Sequence, residues 1–167
     1  QHPTVTSFGD PGGFARIITE EFQKHRPRHW REAMYPGARD LLLDLKGRVT
    51  LGAITNGPAA VQRPKLEALG YRDYFPEELV FVSGEFGVRK PDRRIFLAAA
   101  KAAGVPPEAC VMVGDAREFD MPSKALGFRT ILFCGPREVP DVEKDEWPPD
   151  AVATSYDEVR QLLLKDL

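Results

Sequence analysis

The sequence has 167 residues, with 23 basic against 25 acidic side chains, a formal charge of −2 that excludes nucleic-acid binding driven by net charge. A chain of this length forms one domain, or one with a small appendage, and buries about 70% of the surface exposed when unfolded. No apolar run approaches the roughly 18 residues of a membrane span and no basic-then-apolar leader opens the chain, so a soluble protein with no membrane partner is expected.

In chain order, the first dozen residues, ending in Gly9-Asp10-Pro11-Gly12-Gly13, hold no periodic pattern and read as a tail. Phe14, Ile17, Ile18 and Phe22 then form one apolar stripe of a helix that Pro27 ends. A second helix follows Tyr35-Pro36-Gly37, with Ala38, Leu41, Leu42 and Leu45 inward. From Val49 onward, short apolar runs alternate with helical segments, the pattern of βαβ units around a parallel sheet. Five runs read as strands: Val49 to Ile54, Leu79 to Ser83, Cys110 to Val113, Arg129 to Phe133 and Ala151 to Thr154. Helices between them close on glycine: Pro64 to Leu69 before Gly70, Arg93 to Ala103 before Gly104, and the segment after Asp120 before Gly127. Cys110 and Cys134 sit in or beside strand-like runs with no metal-type spacing, which suggests reduced thiols and a cytoplasmic location. Residues 136–149, rich in Pro and acidic side chains, read as a long surface loop. The last helix starts near Tyr156 and carries Val159, Leu162 and Leu163 inward. The fold class is therefore α/β, a doubly wound, Rossmann-like parallel sheet over residues 35–167, preceded by a tail and helix within residues 1–34.

Ligands of such sheets sit beyond the carboxyl ends of the strands. Those ends carry Thr55-Asn56-Gly57, Gly114-Asp115 followed by Asp120, and Arg89-Lys90-Pro91-Asp92 after the second strand. Singly, each has a structural reading: Thr55 and Asn56 as a turn into a helix, Lys90 as a solvated lysine, Asp115 as a helix cap, Asp120 as a surface acid. Asp92 is assigned to capping the helix that starts at Arg93. Together they suggest a site, because all follow strands of one sheet. Two carboxylates about 4 to 5 Å apart repel by about 3 to 4 kcal/mol at an effective dielectric near 20, so Asp115 and Asp120 facing one rim would want a cation, and Mg²⁺ suits their oxygens. Lys90 and donors near Thr55 would then hold phosphate oxygens. His2, His25 and His29 lie away from the strand ends and read as loop or surface histidines, and the basic run Lys24, Arg26, Arg28 and Arg31 as a solvated helix face.

The blocks Ile54-Thr55-Asn56-Gly57, Gln62 to Gly70, Ser83 to Asp92 with Ile95-Phe96, and Val113-Gly114-Asp115 through Asp120 resemble the haloacid dehalogenase superfamily, in its phosphatase-like branch with a helical cap. The resemblance covers Tyr35 to Leu167. It implies that Thr55 binds the phosphoryl group and that the Asn56 backbone helps hold the same oxygens. It further implies that Lys90 offsets charge on that group and on the nucleophile, and that Asp115 and Asp120 bind Mg²⁺. Two departures stand out. Met121-Pro122-Ser123 replaces a common Gly-Ala pair in a loop one residue shorter, which bears on Asp120. The Asp-x-Asp that ends the family's first strand, and supplies its nucleophile and its acid and base, occurs nowhere in the 167 residues. In the family that strand lies between those ending here at Ile54 and Val113, so a segment outside this sequence is expected to supply it. The leading expectation is a Mg²⁺-dependent hydrolase of a small phosphorylated molecule. A metal-free 2-haloacid dehalogenase and a non-catalytic phosphate-binding module are the alternatives, and a homodimer is compatible with all three.

Overall fold

The computed structural model describes residues 28–164. The expected helix Phe14–Phe22, His2, His25, Lys24, Arg26 and most of the 1–34 segment lie outside the described residues. Residues 28–32 are helical and exposed or half-buried, and Arg28 pairs with Glu32 at 2.7 Å on the solvated face.

Helix α1 spans Ala38–Leu45 and buries Leu41 and Leu45. Strand β1 is Ala53–Thr55, shorter than the expected run from Val49; its partner β2, Val80–Val82, is itself three residues long, and Val49 makes only an isolated bridge to Lys46. Helix α2, Ala59–Ala68, begins five residues before the expected start and contains Pro64. Its first turn is secured without Pro64, because the amides of Val61 and Gln62 both donate to the Pro58 carbonyl at 3.0 Å. The short helix α3, Ser83–Phe86, follows β2, and α4, Arg93–Ala103, matches its expected limits. At its start Asp92 accepts from the Arg94 amide at 2.9 Å, and the guanidinium and amide of Arg94 hold the Asp92 carboxyl down to about 2. Gly104, at φ +72°, ends α4 in the left-handed conformation. Strand β3, Val111–Gly114, leads to α5, Arg117–Asp120, and the stretch expected as a helix between Asp120 and Gly127 is a 3₁₀ segment, Met121–Leu126. Strands β4, Arg129–Phe133, and β5, Ala151–Ala153, flank the long loop, and α6, Tyr156–Leu164, buries Val159.

All strand pairs are parallel, in two ladders, β1–β2 and β3–β4–β5. Helices cover both faces. On one, Ile95, Phe96 and Ala100 of α4 pack with Ile54 and Phe81 of the first ladder and Met112 of the second. On the other, Leu41, Leu45 and Val159 from α1 and α6 meet Val113, Ile131, Phe133 and Ala153. Complete burial of Ile95 and Phe96 contributes about 1.5–3 kcal/mol per side chain. One helix thus spans both ladders, which lie in one layer, yet among the described residues β1 and β3 are not hydrogen-bonded to each other. Their burial reflects this: four of the five β4 residues are buried, whereas every β1 residue is only half-buried and Val111 of β3 is 41% exposed.

Among the described residues no helix is long and apolar enough to cross a membrane. Cys110 and Cys134 are both free, the first half-buried and the second buried.

Candidate active site

The segments that follow β1, β2 and β3 meet, since Asn56 bonds to Lys90 and Lys90 to Asp120. The loop after Thr55 is held from three sides. Gln62, on the first turn of α2, donates its amide to the Asn56 carbonyl at 3.1 Å and accepts the Thr55 hydroxyl at 3.1 Å. Ser83 Oγ accepts the Gly57 amide at 2.9 Å, and the Gly84 amide donates to the Gly57 carbonyl at 3.1 Å, which staples the loop to α3. Gly57 has φ +143°, and a β-carbon there would lie 2.6 Å from Gln62 Nε2, so only glycine fits under that side chain. Arg63 ties α2 to α3 through Glu85 at 2.5 Å.

The third support reaches the other half of the site. The Asn56 side chain brackets the backbone of Lys90, donating to its carbonyl at 3.0 Å and accepting from its amide at 2.8 Å. Asn56 thereby spends its amide group on positioning residue 90, while its backbone carbonyl accepts from Gln62. Lys90 is buried, followed by a cis peptide to Pro91, and its ammonium donates to Asp120 Oδ1 at 2.5 Å. Asp120, 2% exposed, accepts at Oδ2 from the Ala116 amide at 3.0 Å. Its backbone carbonyl is also engaged, since the Ser123 hydroxyl donates to it at 2.7 Å. Gly114 is small for a steric reason, because a β-carbon there would overlap the Asp120 carboxylate. Arg89 lies over the Phe119 ring at 5.5 Å, a second tie between the 87–92 loop and α5.

Asp115 differs from Asp120 in every respect. It is exposed at the end of β3, does not cap α5, and faces the Arg137 guanidinium at 3.9 Å. Burial raises the pKa of Tyr156, and the negative charge of Asp115 adds to the shift. The structure thus joins Thr55, Asn56, Lys90 and Asp120 in one hydrogen-bonded chain and leaves Asp115 open at the rim. Asp120 is the buried counter-charge of Lys90, and an exposed surface acid is excluded as its reading. Asp92, an N-cap, and His29, at 4.0 Å from Glu32, stay outside the chain.

Mg²⁺ takes one or two carboxylates and completes its shell with water and substrate phosphate. Asp115 fits as such a carboxylate. Asp120 has lone pairs beyond those taken by Lys90 and Ala116, though both oxygens already accept. Among the described residues there is no group of three or more His, Cys, Asp or Glu side chains placed to hold a metal.

Sequence reasoning gave no role to Gln62, Ser83 or Gly84. The available signals were Gln62 one turn into the helix after the Thr-Asn-Gly loop and Ser83 ending the strand beside β1.

A family model described as haloacid dehalogenase-like hydrolase matches residues 12–125. The chain is 40% identical over 133 residues to the pyrimidine 5′-nucleotidase YjjG of Escherichia coli K12, covering 78% of this chain and 56% of that protein. It is 39% identical over 119 residues to a phosphoserine phosphatase of Thermus thermophilus, covering 70% and 46%. It therefore spans about half the length of the relatives it matches. A haloacid dehalogenase-type phosphatase structure from Thermococcus onnurineus superposes with TM-score 0.68 at 27% identity over 85% of this chain and 64% of that one. A 2-haloacid dehalogenase structure from Pseudomonas syringae pv. tomato gives 0.70 at 27% identity over 95% and 66%. With an α/β layer of parallel strands, the expected blocks at the strand ends and a family match over most of its length, the chain belongs to the haloacid dehalogenase-like hydrolases.

Proposed function

We propose that the chain acts as a Mg²⁺-dependent phosphatase of a small phosphomonoester, with its aspartate nucleophile borne by a strand that pairs between β1 and β3. The observation that carries this reading is the chain Thr55–Gln62–Asn56–Lys90–Asp120, which joins a hydroxyl to a buried ammonium and ends on the amide of Ala116, next in sequence to the exposed Asp115. Among the described residues β1 pairs only with β2 and β3 only with β4, and these open edges support the location of the additional strand. The relatives named as a nucleotidase and a phosphoserine phosphatase support the phosphomonoester class.

In this mechanism the Lys90 ammonium and Thr55 hydroxyl hold the phosphoryl oxygens, and the Asp120 carboxylate holds Lys90 in place. The aspartate nucleophile forms a bond to phosphorus as the ester P–O bond breaks, and the alcohol leaves with a proton from the neighbouring acid. Water then attacks phosphorus, giving a proton back to that acid as the P–O bond to the aspartate breaks, which returns the free carboxylate and inorganic phosphate. Asp115 would hold Mg²⁺, which when bound neutralises charge on the phosphoryl oxygens.

The test is hydrolysis of an aryl phosphate by the protein assembled with its nucleophile segment. Turnover should require Mg²⁺ and fall at least 100-fold in Asp115→Ala, consistent with the several kcal/mol that metal charge stabilisation supplies. Turnover unchanged by Asp115→Ala would remove the metal role. Release of halide from a 2-haloacid, undiminished by EDTA, would replace the phosphatase reading with dehalogenation.

A further inference from the structure

We infer that Gln62 is the positioning residue of the phosphate-binding loop, setting the Thr55 hydroxyl and the Asn56 peptide with a single amide group. The inference rests on the phosphate-binding reading of Thr55 and assigns what controls it.

The hydrogen-bond chemistry leaves one arrangement. A backbone carbonyl only accepts, so the Gln62 NH₂ must face the Asn56 carbonyl, at 3.1 Å. Gln62 Oε1 is then turned to Thr55 at 3.1 Å and must receive the hydroxyl proton. The amide cannot flip without placing two acceptors against each other at Asn56. The side chain is also clamped in place: its backbone amide bonds the Pro58 carbonyl at 3.0 Å, and it lies over Gly57, where a β-carbon would come within 3.1 to 3.2 Å of its Cγ and Cδ.

Two consequences follow for phosphate. The Thr55 rotamer is fixed before ligand arrives, which removes an ordering cost from binding. The hydroxyl's one proton passes from the amide oxygen to a phosphate dianion, the stronger acceptor, so binding gives up that bond and keeps the set rotamer and the bond to the Asn56 carbonyl. Through the Asn56 carbonyl, Gln62 also steadies the residue whose side chain brackets Lys90. Gln62 touches no reacting atom in this scheme; it acts through Thr55 and Asn56.

The experiment uses the full chain and inorganic phosphate as probe, with dissociation constants from amide chemical-shift titration, which needs no turnover. Gln62→Met keeps the bulk over Gly57 and removes both hydrogen bonds. It should weaken phosphate about tenfold in the wild-type background and less than threefold in Thr55→Val. Gln62→Glu is compared in the wild-type and Thr55→Val backgrounds, because its carboxylate also repels phosphate as pH rises: only the protonated form reproduces both the donor to Asn56 and the acceptor for Thr55, whereas repulsion acts equally in both backgrounds. Its affinity relative to Gln62 should therefore rise more steeply in the wild-type background than in Thr55→Val as pH falls from 8 to 5, and an equal rise in both would overturn the inference. Equal losses from Gln62→Met in both backgrounds, a pH-independent Gln62→Glu ratio, or a wild-type chain whose Thr55 and Asn56 signals ignore phosphate would each overturn the inference. If instead phosphate binds with the expected coupling while the assembled protein hydrolyses no phosphate ester, the phosphatase reading fails and the assignment of Gln62 stands.

Discussion

Lys90 and Asp120 form a buried ion pair, and its removal one partner at a time gives a sharp quantitative test. At the 2.5 Å separation two unit charges attract by about 6–7 kcal/mol at an effective dielectric of 20, and the cost of taking both from water offsets most of that. The intact pair therefore adds little net stability, while a single removal strands a charge. Asp120→Ala leaves the Lys90 ammonium buried without its counter-charge, and Lys90→Met leaves the carboxylate of a residue only 2% exposed with the Ala116 amide as its remaining partner. Each should cost about 3–5 kcal/mol. For a chain of this size that is about 6–20 °C in melting temperature. The double variant Lys90→Met/Asp120→Asn keeps an acceptor for the Ala116 amide, carries no charge, and should recover to within about 1–2 kcal/mol of wild type. Urea unfolding followed by circular dichroism, with equal m-values across the series, measures all three. Additive losses in the double variant, or single losses below about 1 kcal/mol, would refute the buried-pair reasoning.

Gly114→Ala should push Asp120 away from Lys90 and cost about 1–3 kcal/mol in the same unfolding assay, since a β-carbon at 114 overlaps the carboxylate. Gly84→Ala would bring a β-carbon to 2.8 Å from the Gly57 carbonyl and 2.9 Å from the Ala59 amide, both backbone; it should raise KM for an aryl phosphate several-fold in steady-state kinetics by displacing the Thr55 loop. Asp150 accepts from the amide and hydroxyl of fully buried Thr130 at 2.8 and 3.0 Å and from Lys124 at 2.6 Å. Asp150→Ala should therefore cost about 2–4 kcal/mol, measured by denaturant unfolding, because it leaves two buried donors without an acceptor. Burial alone would raise the Asp150 pKa, but the bonds from Lys124 and Thr130 outweigh it and the carboxyl titrates below its ordinary value. Its contribution is thus complete above about pH 4 and is lost as pH falls below that, so the gap between wild type and Asp150→Ala should narrow in acid.

Much of the fold was legible because burial leaves periodic marks. The apolar spacing of α4, with Asp92 before it and Gly104 after it, encodes its limits, and the run Arg129 to Phe133 is a strand because both faces of β4 are covered. Other boundaries depend on partners distant in sequence. Val49 to Gly52 is apolar enough for a strand, but a strand exists only where a neighbouring backbone pairs with it, and the ladder to β2 begins at Ala53. Pro64 reads locally as a helix start, yet the helix begins at Ala59 because Pro58 accepts from its first turn and Gln62 and Arg63 are held by Thr55 and Glu85.

The site divides in the same way. The sequence by itself determined which chemical groups come after the strands, since β-strand and glycine signals place Thr55 at the end of one, Asp115 just past another and Lys90 in the loop after a third. Only the tertiary structure decided what each group bonds to. Asn56 brackets Lys90 across 34 residues, and Asp120 turns inward to Lys90 across 30 residues instead of lying open beside Asp115. Spacing along a chain reports which face of an element is buried. Which donor meets which acceptor is set by how separate elements are stacked, and that information resides in the packed layer of strands and helices.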